Sequence, residues 1–456
     1  MTGSLTQRLA AHIAGVRSED IPADVRRHAS WIFKDLMAVM LDATTDAYTT
    51  YGRLIRYATA KGTTGPSRIF GSDLRTDVET AAHVGGMLGY AIDNEAHHTE
   101  AVLHPVAAMG PVVLAVAEAE GRTGRDAMTA FILGIDVSIR VSEAFNAAGL
   151  YDRGFHPTPV SCGFGAAAAT AWLMGLDADV TRNALGLAGA QASGLLAWVD
   201  DPQEQARPMN VGIAARNGVA AARMAAAGLP GYPWVFESKY SVLRAFSDRN
   251  EPERLVDRLG EHWTTTELVP KLHACVAFTH PALDALQELV EHGLQPGQIS
   301  SIEMRFPRSG YHVIDNNPLR SHCAQYLMAL MATRGVIRFS DVVEDRMVDD
   351  LEVARIRNAT TVVPDDELDR TYPELYRTIL TVELNDGHTI TRDITYPLGH
   401  PENPVTEEHL SAKFDRLVVP ILGEGGAWRL SDAALGLEDA PEVGEVLDAV
   451  AVHRLA

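Results

Sequence analysis

From the start of the chain to roughly residue 265, apolar side chains recur every three to four positions, the period of a helix with one buried face. In "PADVRRHASWIFKDLMAVMLDAT" the residues Val25, Trp31, Ile32, Leu36 and Val39 form one such stripe, and Pro22 supplies a favoured first-turn residue. "TGRDAMTAFILGIDVSIRVSEAF" opens with Thr123 and carries Asp126 three positions on, which predicts a capped helix start. "LDADVTRNALGLAGAQASGLLAW" has Asp177 available for the same purpose. Alanine is heavily used ("GAAAATAW", "GVAAARMAAAG"), and side chains that small let helices approach closely, so a compact bundle is expected.

Beyond that point the period changes. "ISSIEMRFP" (299–307) and "TILTVELNDGHTITRDITYP" (378–397) are rich in β-formers and partly alternating. Asn385-Asp386-Gly387 reads as the turn of a hairpin inside the second stretch. Helical runs lie between these strands, so 266–400 is expected to form a smaller α+β domain. The tail from 401 to 456 returns to helix and is expected to rejoin residues 1–265.

A chain of 456 residues, 46% hydrophobic, can build more than one core. Its three cysteines, Cys162, Cys275 and Cys323, are far apart and match neither a disulfide framework nor a CxxC metal site. The opening "MTGSLTQRLAAHIAGV" lacks a basic segment leading into a long apolar run, so no secretory leader is expected and a cytoplasmic location is. No apolar run reaches the ~18 residues of a membrane span. The net charge of −21 disfavours nucleic acid and anionic membranes as partners, while leaving room for a small anionic substrate held by a few convergent cations.

The candidate chemistry collects in "YAIDNEAHHTEAVLHP", where Asp93, Glu95, His97, His98, Glu100 and His104 sit between two apolar runs. The spacing is not that of HExxH, which disfavours a metal site. His97, His98 and Glu100 read as members of a solvated loop. Asp93 and His104 differ, since they flank the ends of two apolar helices, a placement suited to acid–base work. His156, in "GFHPTPVSCGFG", reads by default as a core or capping histidine, and a second His-Pro step raises its interest. Arg207 opens a helix rich in small residues, where a guanidinium can hold a carboxylate. Lys271, His273 and His280 fall near the expected domain junction, and Tyr326 lies in a helix that reads as buried.

Assembled in order, these stretches resemble the MmgE/PrpD family. "AIDNEAHH…HPVAAMGPVVLAVAEAEGRTGRDAM", "GFHPTPVSCGFGAAAATAWLMGLD", "ALGLAGAQASGL", "KLHACVAFTHPALDA" and "NPVTEEHLSAKF" are similar to five of its signatures, in register along nearly the whole chain. The resemblance implies a mainly α fold: a large helical domain built from both chain ends, an inserted α+β lid, and commonly a homodimer. It also implies cofactor-independent, metal-independent chemistry in a cleft between the domains. Residue by residue it carries over Asp93, His104, His156, Lys271 and Tyr326 as catalytic, with Arg207 and Lys271 binding substrate. There are departures. Tyr90 replaces a histidine, Arg207 and Asn210 replace the lysine and histidine of a Lys-Pro-Leu-His pattern, and Phe236–Tyr240 stands where a Glu-Gly pair is common.

The expected function is that of a lyase, a dehydratase of a small hydroxy di- or tricarboxylate. One of His104 and His156 removes the α-proton, the other or Tyr326 protonates the leaving hydroxide, and Asp93 orients a histidine. Epimerisation and decarboxylation are alternatives in the same site, and a binding protein with a decayed site is a third.

Overall fold

The computed structural model describes residues 3–45, 51–200, 206–372, 375–396, 398–400 and 402–451. The fold is mainly α and divides into two compact units. The first comprises Met1–Trp198, Gln205–Pro270 and Leu410–Ala456, and the second Val199–Glu204 and Lys271–His409. No helix among the described residues is long and apolar enough to cross a membrane.

The described helices of unit 1 include α1 (Ala23–Thr45), α2 (Val78–Gly89), α3 (Val106–Glu120), α4 (Gly124–Phe145), α5 (Pro157–Leu173), α6 (Arg207–Ala226) and α7 (Glu407–Leu435), the last entering the unit at Leu410. The capping signals work as expected. Thr123 and Asp126 form a reciprocal box at the start of α4, and Asp177 accepts from the N–H groups of Asp179 and Val180. α5 packs against α3, α4 and α6, and α2 packs against α3 and α6. The closeness of these contacts depends on missing side chains. A Cβ on Gly165 of α5 would stand 2.4 Å from the carbonyl oxygen of Gly134 on α4. α1 is buried on every face from Ile32 to Leu41, which is why charged residues in that run need internal partners. α7 is interrupted at Gly423, whose φ of 67° only glycine adopts without strain, three residues after Pro420.

Unit 2 holds a four-stranded sheet, β1 (Ile299–Pro307), β2 (Thr360–Asp365), β3 (Thr378–Leu384) and β4 (Thr389–Ile394), in the order β2-β1-β3-β4. β3 and β4 form the expected hairpin, with Gly387 at φ +85° in its turn. β2 lies parallel to β1, a strand the periodicity did not predict, and it follows the short helix Leu351–Asn358. The core of the unit joins Ile302, Met304, Phe306, Leu380 and Val382 of the sheet to Leu283, Leu286, Leu327 and Leu330 of two helices. β4, one of the two edge strands, buries no residue fully.

Candidate active site

The site in unit 1 is organised by the segment between α2 and α3. α2 ends at Gly89 and α3 starts at Val106, and neither could carry the sixteen-residue sequence 90–105 forward as helix. Instead the segment folds inward and is pinned along its length. His97 exchanges both backbone hydrogen bonds with Val269, at 2.9 and 2.7 Å, and His98 does the same with Leu103, at 2.7 and 3.1 Å. Ser142 of α4 donates to the carbonyl of Ala101 at 2.9 Å. The N–H of His104 donates to Thr158 Oγ1 at 3.2 Å. Asp93 has φ +52°, a left-handed conformation that aspartate tolerates better than most residues.

This overturns the reading of His98 as a solvated loop residue. It is 2% exposed, its Nδ1 accepts from the N–H of Ala101 at 3.0 Å, and its Nε2 lies 2.7 Å from Glu267. With Nδ1 accepting, the ring proton sits on Nε2 and points at that carboxylate. Glu267 also receives His262 Nε2 at 2.9 Å, and the two histidines hold its carboxyl below the ordinary range against the opposing effect of burial. The pair is a structural clamp at the base of the segment.

The inward-facing side chains of the segment meet two other elements. The Asp93 carboxylate lies 3.1 Å from Nη1 of Arg207, the first residue of α6, and both are buried. The Arg207 guanidinium is flanked by aromatic rings, 4.8 Å from the Tyr90 centroid and 5.6 Å from that of Trp198. Glu95, fully buried, lies 2.7 Å from His104 Nδ1. The carboxylate against His104 is therefore Glu95, while Asp93 faces Arg207. The acid–histidine relation expected of Asp93 belongs to its neighbour two residues on.

His156 is the N-cap of α5, ahead of Pro157 at the first helical position. Its N–H donates to the carbonyl of Gly194 at 2.9 Å. Gly194 has φ +145°, and a Cβ there would lie 2.3 Å from Pro159, so the approach that fixes His156 requires glycine. The imidazole is fully enclosed, stacked on Tyr90 at 6.1 Å between centroids and edge-on to Trp198 at 5.5 Å. Burial, reinforced by His104 and Arg207, pushes its pKa down to about 3, so the ring is neutral at ordinary pH. Nδ1 of His156 is buried without a hydrogen-bond partner among the described residues, and so are Trp198 Nε1 and Asn94 Oδ1. Such atoms cost about 1–3 kcal/mol each when left open, and a folded protein tolerates them where a ligand completes the bonding.

Oxygens of Asp93 and Glu95 and a nitrogen of His104 lie within 4.8 Å of one another. The array is nearer to an ion-pair network than to a cation cage, because Arg207 already supplies positive charge to Asp93. Tyr90 and Arg207, two of the departures from the family pattern, are in contact with each other. Another, Asn210, donates from Nδ2 to the carbonyl of Leu195 at 3.2 Å.

Lys271 and Tyr326 belong to unit 2, and both are buried. The Tyr326 hydroxyl shares its proton between the carbonyls of Asp341 (2.7 Å) and Glu344 (3.0 Å) and accepts from the N–H of Arg346 (3.0 Å). Those main-chain partners occupy the hydroxyl fully, the geometry of a satisfied core tyrosine. His273 is bound to Asp284 at 2.8 Å, and His280 packs edge-on against it.

Sequence reasoning named Glu95 within the cluster but gave it no role, and it passed over Trp198, Asp35 and Lys413. For the last two a signal existed. Asp35 falls within the apolar run Ile32–Leu41, and Lys413 shares the buried stripe of Leu410, Phe414 and Val418. Trp198 had none.

Comparison with known proteins gives the family. Residues 7–255 match the MmgE/PrpD N-terminal domain, and residues 273–439 match the MmgE/PrpD C-terminal domain. The chain is similar to the cis-aconitate decarboxylase-like protein oryM of Aspergillus oryzae, 28% identical over 98% of this chain and 97% of that protein. It is similar to the cis-aconitate decarboxylase of Aspergillus terreus, at 26% identity over 97% and 95% of the two chains. The alkylcitrate dehydratase phiI of a fungal species is 27% identical over 62% of this chain and 59% of its own. The chain belongs to the MmgE/PrpD family and is an enzyme of its lyase type.

Proposed function

We propose that the protein is a lyase acting on a small di- or tricarboxylate, with His156 as the base and the Glu95–His104 pair as the acid. The observation that carries this reading is the enclosed, neutral His156 with an open Nδ1, beside a histidine held against a carboxylate. Two proton carriers in environments that favour opposite charge states are the usual arrangement for acid–base chemistry. Glu95 favours the imidazolium form of His104, while burial favours the neutral form of His156.

In dehydration, His156 removes a proton from the carbon next to a carboxylate. The C–H electron pair becomes the new double bond as the C–O bond breaks, and His104 gives its proton to the departing hydroxide to form water. Exchange with solvent returns the proton from His156 and restores that of His104. Arg207 receives the substrate carboxylate beside Asp93 and stabilises negative charge as it develops. Arginine cannot itself transfer protons near neutral pH, so it binds and the histidines do the proton work. Lys271 is proposed on the family resemblance as a further carboxylate-binding cation.

Decarboxylation is the second reading, favoured by the names of the relatives that match over nearly the full chain. Here carbon dioxide departs instead of hydroxide, and the electron pair left on carbon takes the proton of His104.

Proton NMR in D₂O, with the full-length protein and a panel including cis-aconitate, 2-methylcitrate and alkylcitrates, tests both. Formation of an alkene with loss of water supports the first reading, and loss of carbon dioxide with deuterium entering the product supports the second. Silence from a folded protein across the panel, with no exchange at any α-carbon, defeats both.

A further inference from the structure

Beneath the 93–95 turn lies a buried ion pair that the chemistry above does not use. Lys413 of α7 and Asp35 of α1 are 378 positions apart in sequence, and both are almost completely enclosed. Lys413 Nζ lies 2.7 and 2.9 Å from the two carboxylate oxygens of Asp35, and donates to the main-chain carbonyl of Asn94 at 2.5 Å. Asn94 separates Asp93, which faces Arg207, from Glu95, which faces His104. The ammonium therefore grips one of the two peptide carbonyls between the two working carboxylates.

An enclosed ion pair is a poor way to gain stability, because desolvation consumes most of the attraction, and a well-packed apolar pair serves as well or better. Its third bond is what an apolar pair could not make. The left-handed Asp93 needs an external hold, since a turn of this kind costs about 1–3 kcal/mol and persists only where its surroundings impose it. The charged groups facing the ammonium are Asp35 of α1, Glu95 of the segment, and Arg416 one turn further along α7. Glu95 thus feels Lys413 directly as well as through the backbone.

We propose that Lys413, fixed by Asp35, is a positioning residue of the active site: it clamps the Asn94 carbonyl so that Asp93 meets Arg207 and Glu95 meets His104. This rests on the acid role given to the Glu95–His104 pair. It predicts that the charge pair can be removed without unfolding the protein while the proton chemistry fails.

The test is the double variant Asp35→Leu/Lys413→Met, which leaves no unpaired charge behind, beside the wild type and Lys413→Met alone. Two readouts are taken on the full chain. The first is the titration of His104 followed by NMR in ¹⁵N-histidine-labelled protein, assigned with a His104→Gln control. The second is kcat and KM with whichever acid of the panel is turned over. In a double variant that still melts cooperatively, the His104 midpoint is expected to fall by about one pH unit, a tenfold loss of proton affinity. A fall in kcat of tenfold or more, with KM changed less than threefold, is expected alongside it. An unmoved His104 midpoint in the folded double variant overturns the proposal, whatever the activity. A moved midpoint in a protein that turns over no acid sustains the positioning role and counts against the assigned reaction instead. If the double variant loses its cooperative melt, the pair is a folding element and the proposal is overturned.

Discussion

Among its described residues unit 1 contains two buried guanidinium–carboxylate pairs, and they are finished differently. Arg140 and Asp136, one turn apart on α4, lie 2.7 Å from each other. The other nitrogens of Arg140 reach the carbonyls of Asp257 and His262, and Asp136 receives the N–H and hydroxyl of Thr264 at 3.0 and 2.9 Å. Every polar direction there has a protein partner. Arg207 and Asp93 meet at 3.1 Å among the faces of Tyr90 and Trp198, next to a histidine nitrogen and an indole N–H with none. The first pair ties a helix to a loop that carries 257–264. The second faces atoms that still need something to bind. Open ring nitrogens alone do not separate the two, since His12 Nε2 and Trp263 Nε1 near the first pair also have no partner among the described residues. What marks the second is the Glu95–His104 pair on the same segment as Asp93.

The sharpest way to break this contrast is to substitute in each cluster and compare what is lost. His156→Gln removes a ring whose Nδ1 has no hydrogen-bond partner among the described residues, so the fold should survive with little change in melting temperature. Activity should fall ~10²–10⁴-fold, the usual contribution of an acid–base group. Retention of turnover within threefold would remove His156 from the mechanism. Arg140→Met should behave in the opposite sense. Stranding Asp136 and two carbonyls is expected to cost about 3–5 kcal/mol of stability in denaturant titrations, while kcat per folded molecule stays within about threefold. A large kcat loss in folded Arg140→Met would mean that the two clusters are not separate.

Helices announce themselves by a period, so much of unit 1 was legible in the sequence, including the caps at Thr123 and Asp177 and the alanine-rich runs that let helices approach closely; so was the hairpin at Gly387 of unit 2. β2 was not, because its six residues follow a helix, contain Pro364, and show no long alternation. The site was legible in its residue types and not in its pairings. Asp93 and Glu95 are two residues apart, and only the left-handed turn at Asp93 decides which carboxylate meets which cation. No periodicity encodes that choice. Trp198 reaches the guanidinium from a residue that carried no signal, and His98 looked like loop because its partner Glu267 is 169 residues away. Lys413 was missed for a different reason. A charged residue on a buried stripe is a readable exception, and such exceptions are worth following even when no motif surrounds them.

The smallest effect separates the two clusters by pH. His156 would be expected to change charge between pH 5 and 7 in an unfolded chain. Below its ordinary value of 6.5 the unfolded chain takes up a proton there that the folded protein refuses until about pH 3. The unfolded state then binds more protons, so the stability of the wild type declines as pH falls through this window. At pH 5 the penalty attributable to His156 is about 2 kcal/mol, and it vanishes above pH 7. His12, His28 and His83 are likewise depressed by burial, but they are present in both proteins and cancel in the comparison. His156→Gln should therefore gain about 2 kcal/mol on the wild type between pH 7 and pH 5, read as the change in the difference between their denaturation midpoints. Parallel stability curves across that range would mean that His156 protonates in the folded state as readily as in the unfolded one. The base would then have to be sought elsewhere in the cluster.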